Sequence, residues 1–146
     1  MRIIPSLLAV IISVVSTTLG PVAFSQTAIL RYDGAYHRIG ADQTTQHLRF
    51  YPDGFVISAA TPSAQTPGWL HRDFPGLPSG RYSIRGNRIQ ITLNTNLPAA
   101  LSDADRGSIP RTHHYAGVIG PGYLELRRDG LTEPKRYDFV KIPGFK

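Results

Sequence analysis

The densest run of chemistry-bearing side chains in this 146-residue chain is Gln65-Thr66-Pro67-Gly68-Trp69-Leu70-His71-Arg72-Asp73-Phe74-Pro75. It holds the only Trp, a Phe, a His and an adjacent Arg and Asp. An indole, a phenyl ring and a guanidinium at the mouth of a pocket stack on or bracket a ligand ring. The plainer alternative is that Trp69 and Phe74 plug one end of the fold, because a loop of this length needs a small core of its own to be ordered. A second run comprises Ser102-Asp103-Ala104-Asp105-Arg106-Gly107 and Arg111-Thr112-His113-His114. Ser102 suits the cap of a helical turn, with acids favoured near its N-terminus. Asp103, Asp105 and His113 would hold a hard cation or zinc only if folding made them converge. Neither the H-E-x-x-H nor the calcium-loop spacing is present, so no metal ligand is assigned.

Other catalytic patterns fare no better. His71 or His113 with Asp73 or Asp105 is the one general-base pairing worth carrying forward. The Asp-Gly pairs at 33–34, 53–54 and 129–130 are explained by turn chemistry. Glu125 stands between Leu124 and Leu126, so it faces solvent in a strand. No G-x-S-x-G nucleophile elbow and no glycine-rich phosphate loop before a helix occurs. The chain has no Cys, which excludes a disulfide scaffold, a thiolate metal site and a Cys nucleophile. No catalytic residue and no cofactor is therefore assigned.

These side chains must be carried by strands. Beyond Gln26 no helical periodicity persists for more than a turn or two. Short alternating segments recur instead, each ended by Gly, Pro, Asn or Asp. Gln46–Tyr51 runs through Pro52-Asp53-Gly54 into Phe55–Ser58, and Asp-Gly supplies the backbone freedom a hairpin turn needs. Arg81–Arg85 runs through Gly86-Asn87 into Arg88–Leu93, with Tyr82, Ile84, Ile89, Ile91 and Leu93 on one face. His114–Ile119 runs through Gly120-Pro121-Gly122 into Tyr123–Arg128. Strands near 32–39 and 136–142 complete the set. The sequence predicts an all-β fold: an eight-stranded antiparallel up-and-down barrel, with a β-sandwich as the alternative. Tight turns at 52–54, 86–87 and 120–122 fall at one pole. The longer connections, at 40–45, 61–79, 95–112 and 129–135, fall at the other, where function is expected.

Met1 and Arg2 precede an apolar run, Ile3–Leu19, that is shorter than the roughly 20 residues of a bilayer span. Gly20-Pro21 follows, with small residues at Ala23 and Ser25. This is the pattern of a secretory signal peptide over 1–25, and the alternative is a membrane anchor. A single β-barrel domain over 26–146 is then expected in a secreted or periplasmic setting, not membrane-spanning after cleavage. Lys and Arg number 16 against 10 Asp and Glu, a formal charge of +6. Arg49, Arg81, Arg85, Arg88, Arg127, Arg128, Lys135 and Arg136 are expected mainly on outward positions or near turns. They would attract an anionic envelope component, or merely solvate the wall. No nucleic-acid motif occurs, so nucleic acid is not an expected partner.

Leu48-Arg49-Phe50-Tyr51-Pro52-Asp53-Gly54 resembles the hairpin of the lipocalin-like (calycin-type) barrel module at the C-terminus of certain F-box-only proteins. Gly80-Arg81-Tyr82, Tyr115-Ala116-Gly117 and Tyr137-Asp138-Phe139 are similar to strand signatures that follow in that module. The likeness spans roughly 33–142 and implies an eight-stranded barrel, often one that binds small apolar molecules. The F-box itself is absent, as is the N-terminal Gly-x-Trp of true lipocalins, so no family residue is transferred.

Together these readings predict an exported, non-enzymatic binding module for a small apolar or aromatic ligand. Trp69, Arg72, Phe74 and His113 would lie at the open end, with Tyr82 and Ile91 among the inward residues. A structural or interaction protein of the cell envelope, its barrel filled by side chains, is the second reading. An enzyme using loop His and Asp residues is the third.

Overall fold

The computed structural model describes residues 28–62, 66–95 and 111–145. The expected signal segment, 1–25, and Ser102, Asp103 and Asp105 lie outside the described residues. Eight strands follow one another: β1 (Gly34–Ile39), β2 (Thr45–Phe50), β3 (Phe55–Thr61), β4 (Ser79–Arg85), β5 (Arg88–Asn94), β6 (Thr112–Gly120), β7 (Tyr123–Arg128) and β8 (Lys135–Lys141). Each pairs antiparallel with the next, and β1 pairs with β8, so the sheet closes into a barrel rather than a sandwich. Closure removes both free edges.

The turns at one pole follow from their residues. Gly54 has φ +83° and Asp53 accepts the Phe55 amide at 3.2 Å. At the β4–β5 turn Gly86 has φ +61° and stands first of the two central residues, as a II′ turn requires.

Alternation decides which side chains fill the barrel. Ile89, Ile91, Leu93, Leu124 and Leu126 are buried, as their spacing predicts. They meet Tyr36, Leu48, Phe50, Val56, Ile119 and Tyr137 in one core. Aromatic rings occupy the lower interior edge-on: Tyr36 to Phe50 at 5.7 Å, Tyr36 to Phe139 at 5.1 Å, and Phe50 to Tyr82 at 5.1 Å. Leu30 packs into the same core with Ala28 and Tyr32 beside it, so the segment before β1 caps the tight-turn pole. Ile84 departs from expectation at 38% exposed. Strand β3 pairs with β4 only over Ser79–Arg81, so the β4–β5 tip overhangs the barrel and leaves Ile84 without a roof.

A second, smaller core lies outside the wall. Ala35, Ile57 and Ala59 face outward from β1 and β3, yet Leu70 covers them. The segment between β3 and β4 leaves the open pole at Thr61 and runs down the outer wall. It rejoins the sheet at Ser79, opposite Ile57. The Ser58 amide donates to the Pro78 carbonyl at 2.8 Å, fastening its return.

Candidate functional site

The covered wall takes three of the expected mouth residues away from the mouth. Trp69 and Phe74 stack on each other with centroids 5.0 Å apart, and both stay more than a third exposed. The Arg72 amide donates to the Tyr51 hydroxyl at 2.9 Å, and its guanidinium donates to both Asp53 carboxylate oxygens at 2.9 and 2.8 Å. Tyr51 and Asp53 belong to the β2–β3 turn, at the closed pole. Trp69, Arg72 and Phe74 thus form a group on the outer wall, and Arg72 pairs with Asp53 rather than with its neighbour Asp73. The Arg72 hydrogen bond holds the Asp53 carboxyl below its ordinary range, the largest cause of that shift. Neither Trp69 nor Phe74 plugs the barrel; the plug on that wall is Leu70, and it covers the outside.

Arg49 is a related correction. It faces outward from β2, as expected, but is only 8% exposed. Its guanidinium donates to the Leu70 carbonyl at 2.7 Å and lies 3.4 Å from the Phe145 ring centroid. Burial lowers its pKa, and the nearby Arg72 charge lowers it further. Such an arginine cannot recruit a partner from solution. On the same covered face, the ring of fully buried His47 lies 2.9 Å from the Thr61 hydroxyl and 3.4 Å from that of Thr66, tying the start of the segment to the wall.

The three remaining expected residues sit at different heights in the barrel. Tyr82 is low, donating from its hydroxyl to the Tyr51 carbonyl at 2.6 Å. Burial raises its pKa, and the hydrogen bond with Tyr32 adds to this. Ile91 is buried at mid-height and packs as core. His113 faces inward near the open pole, paired with Leu93, and burial followed by the charge of Arg128 lowers its pKa. Of the six, only His113 is at the mouth. His71 contacts Phe74 ring to edge at 6.1 Å. Among the described residues no three His, Asp or Glu side chains gather into a metal-binding group.

The mouth itself is built from residues that the sequence reading missed. Register places Arg38 opposite Gln46, Tyr115 opposite Arg128 and Leu126 opposite Lys135, all pointing inward at the open pole. With Tyr137 below and Leu131 on the lip, they line a concavity of about 100 Å³. Arg128 and Lys135, expected on outward positions or near turns, instead point into the mouth. The alternation Leu124, Leu126, Arg128 carries the signal, which the usual exposure of charge masks. The Tyr137 hydroxyl donates to the Gln46 side-chain oxygen at 2.8 Å, and the Arg38 guanidinium donates to the same oxygen at 3.1 Å. The Arg38 guanidinium lies 5.7 Å from the Tyr137 centroid.

The arrangement offers hydrogen-bond donors and positive charge over an apolar floor. It holds no nucleophile with an adjacent base, and nothing in it resembles the acid/base pair that hydrolytic chemistry needs. Compared with known proteins, the chain matches no family model, no curated protein and no solved structure.

Proposed function

We propose that this chain is an exported, non-enzymatic binding module that takes its ligand at the open end of the barrel. One observation carries the reading: fully buried side chains fill the lower barrel, and the concavity with converging polar groups begins above Tyr137. An eight-stranded barrel is narrow enough to be filled in this way. The packing weighs against a drug-sized apolar ligand inside the barrel, which requires roughly 300 Å³ or more. A small ligand held at the rim, with any aromatic or aliphatic part against Leu131, fits the available space. Export rests on the signal-like pattern of 1–25, and the hairpin Leu48–Gly54 keeps the lipocalin-like kinship part of this proposal.

The test is a fragment screen read by amide chemical shifts. Carboxylates, phosphates, aromatics and aliphatic alcohols are offered in turn. Saturable shifts confined to Arg38, Gln46, Tyr115, Arg128, Leu131 and Tyr137 are expected. Shifts at Tyr36, Phe50 and Leu124 would place the ligand inside and overturn the rim reading.

A second reading has its own observation. Two depressions of about 400 and 420 Å³ share Arg88 and Gln90 on the outer wall, flanked by Arg85 and Arg127, with Val118 exposed between strands. That surface suits an anionic envelope component. Binding that weakens steeply with added salt and is lost in an Arg88, Arg127 double substitution would favour it.

A further inference from the structure

We propose that the mouth recognises one small oxyanion group, a carboxylate, phosphate or sulfate, gripped between Arg38 and Arg128 above Tyr137. The inference rests on the open-end reading and names the chemistry of its ligand.

Three cations, Arg38, Arg128 and Lys135, line the concavity, and no carboxylate is among its lining residues. Gathering like charges in a half-buried recess is unfavourable unless an anion joins them. Lys135 is already paired, 3.1 Å from Glu133 at the rim. Arg128 pairs with no acid among the described residues. Arg38 spends one nitrogen on Gln46. Its Nε is enclosed and has no hydrogen-bond partner among the described residues.

The donor inventory decides the class of ligand. Guanidinium and ammonium groups only donate. The Gln46 oxygen already accepts from both Tyr137 and Arg38, so the strongest acceptor near the recess is saturated. What enters must accept, and against two arginines it must carry negative charge. A planar guanidinium edge matches the two oxygens of a carboxylate or phosphate. Both arginines line the same recess as Tyr115 and Tyr137. About 100 Å³ admits a headgroup rather than a whole drug-sized molecule. Leu131, 53% exposed on the lip, would meet the first carbons of any attached chain.

The experiment titrates the ¹⁵N-labelled chain with inorganic phosphate, octanoate and neutral octanol, following backbone amides and the Arg38 Nε–H signal. Variants are Arg38→Gln and Arg128→Gln, with Arg81→Gln, exposed beside the closed-pole turn, as control. Phosphate, octanoate or both should saturate at Arg38, Leu131 and Tyr137. Each mouth variant should weaken binding about ten-fold or more, as expected for a charge-assisted hydrogen bond, and the control should not. Phosphate alone would identify a free anion as the source, octanoate alone an amphiphile. Octanol binding as well as octanoate, unaffected by the variants, overturns the oxyanion while leaving the open-end reading standing. Shifts spread over Arg85, Arg88 and Arg127 instead overturn it in favour of the outer wall. No response to any probe overturns both readings. Should Arg38→Gln fail to fold, Arg128→Gln carries the test.

Discussion

Replacing Leu70 by Ala tests whether the segment between β3 and β4 is a wall covering or a free arm. Leu70 is fully buried against Ala35, Ile57 and Ala59, with Tyr51, Phe55, Leu77 and Ile142 around it. Its carbonyl also holds the Arg49 guanidinium, a bond the substitution keeps. A buried Leu→Ala change costs about 2–5 kcal/mol, less where neighbours collapse into the void. The cover here is a loop that can settle, so about 2–3 kcal/mol is expected. That raises the population of the detached segment by at least about thirty-fold, at ten-fold per 1.4 kcal/mol. Trp69, the only Trp in the chain, reports on it directly. In urea, Trp69 emission should red-shift at a lower midpoint than the far-UV signal of the strands. Phe74→Ala should cost no more than about 1 kcal/mol, since the ring is exposed and its main loss is the stack on Trp69. If Leu70→Ala left the Trp69 transition unmoved while Phe74→Ala shifted it, the exposed aromatic pair would be the anchor. The second core would then be no core at all.

Two further outcomes are expected. A methyl at Gly117 would overlap the Glu125 carbonyl oxygen and lie 2.8 Å from the Glu125 carbonyl carbon and 3.0 Å from the Leu126 Cα. Gly117→Ala should therefore cost at least ~2 kcal/mol in denaturant unfolding, whereas Gly68→Ala, with nothing within 4 Å, should stay within about 0.5 kcal/mol. Acid should loosen the latch between Arg72 and Asp53. The folded-state pKa of Asp53 is depressed from 3.8, so its contribution is complete above that value and fades as pH falls through the lower one. The Trp69 urea midpoint, followed from about pH 6 to about pH 2, should fall less steeply in Asp53→Asn than in the parent.

The strand pattern was legible because its signal is local. Period-two alternation assigns Ile89, Ile91 and Leu93 to one face whatever surrounds them, and Asp53-Gly54 or Gly86-Asn87 turns a chain within four residues. Closure followed from these, since eight consecutive antiparallel strands without a covering helix bury their apolar face by curling onto it. The candidate site was far less legible. The connection that carries Trp69, Arg72 and Phe74 departs from the open pole, so loop length alone points to the mouth. Charge usually faces solvent, so composition alone points Arg128 and Lys135 outward.

What the chain alone determined is the number of strands, their order, and the inward rows Ile89, Ile91, Leu93 and Leu124, Leu126. Tertiary structure alone decided that Leu70 covers the outer wall, that Leu30 caps the closed pole, that Ile84 overhangs and that Arg49 is buried. It also placed Arg38 and Arg128 in the lining of one concavity at the mouth. The physical reason is range. Alternation and turns are set by neighbours in sequence, whereas the height at which a loop docks, or the pairing of two distant arginines, depends on strand register around a closed sheet.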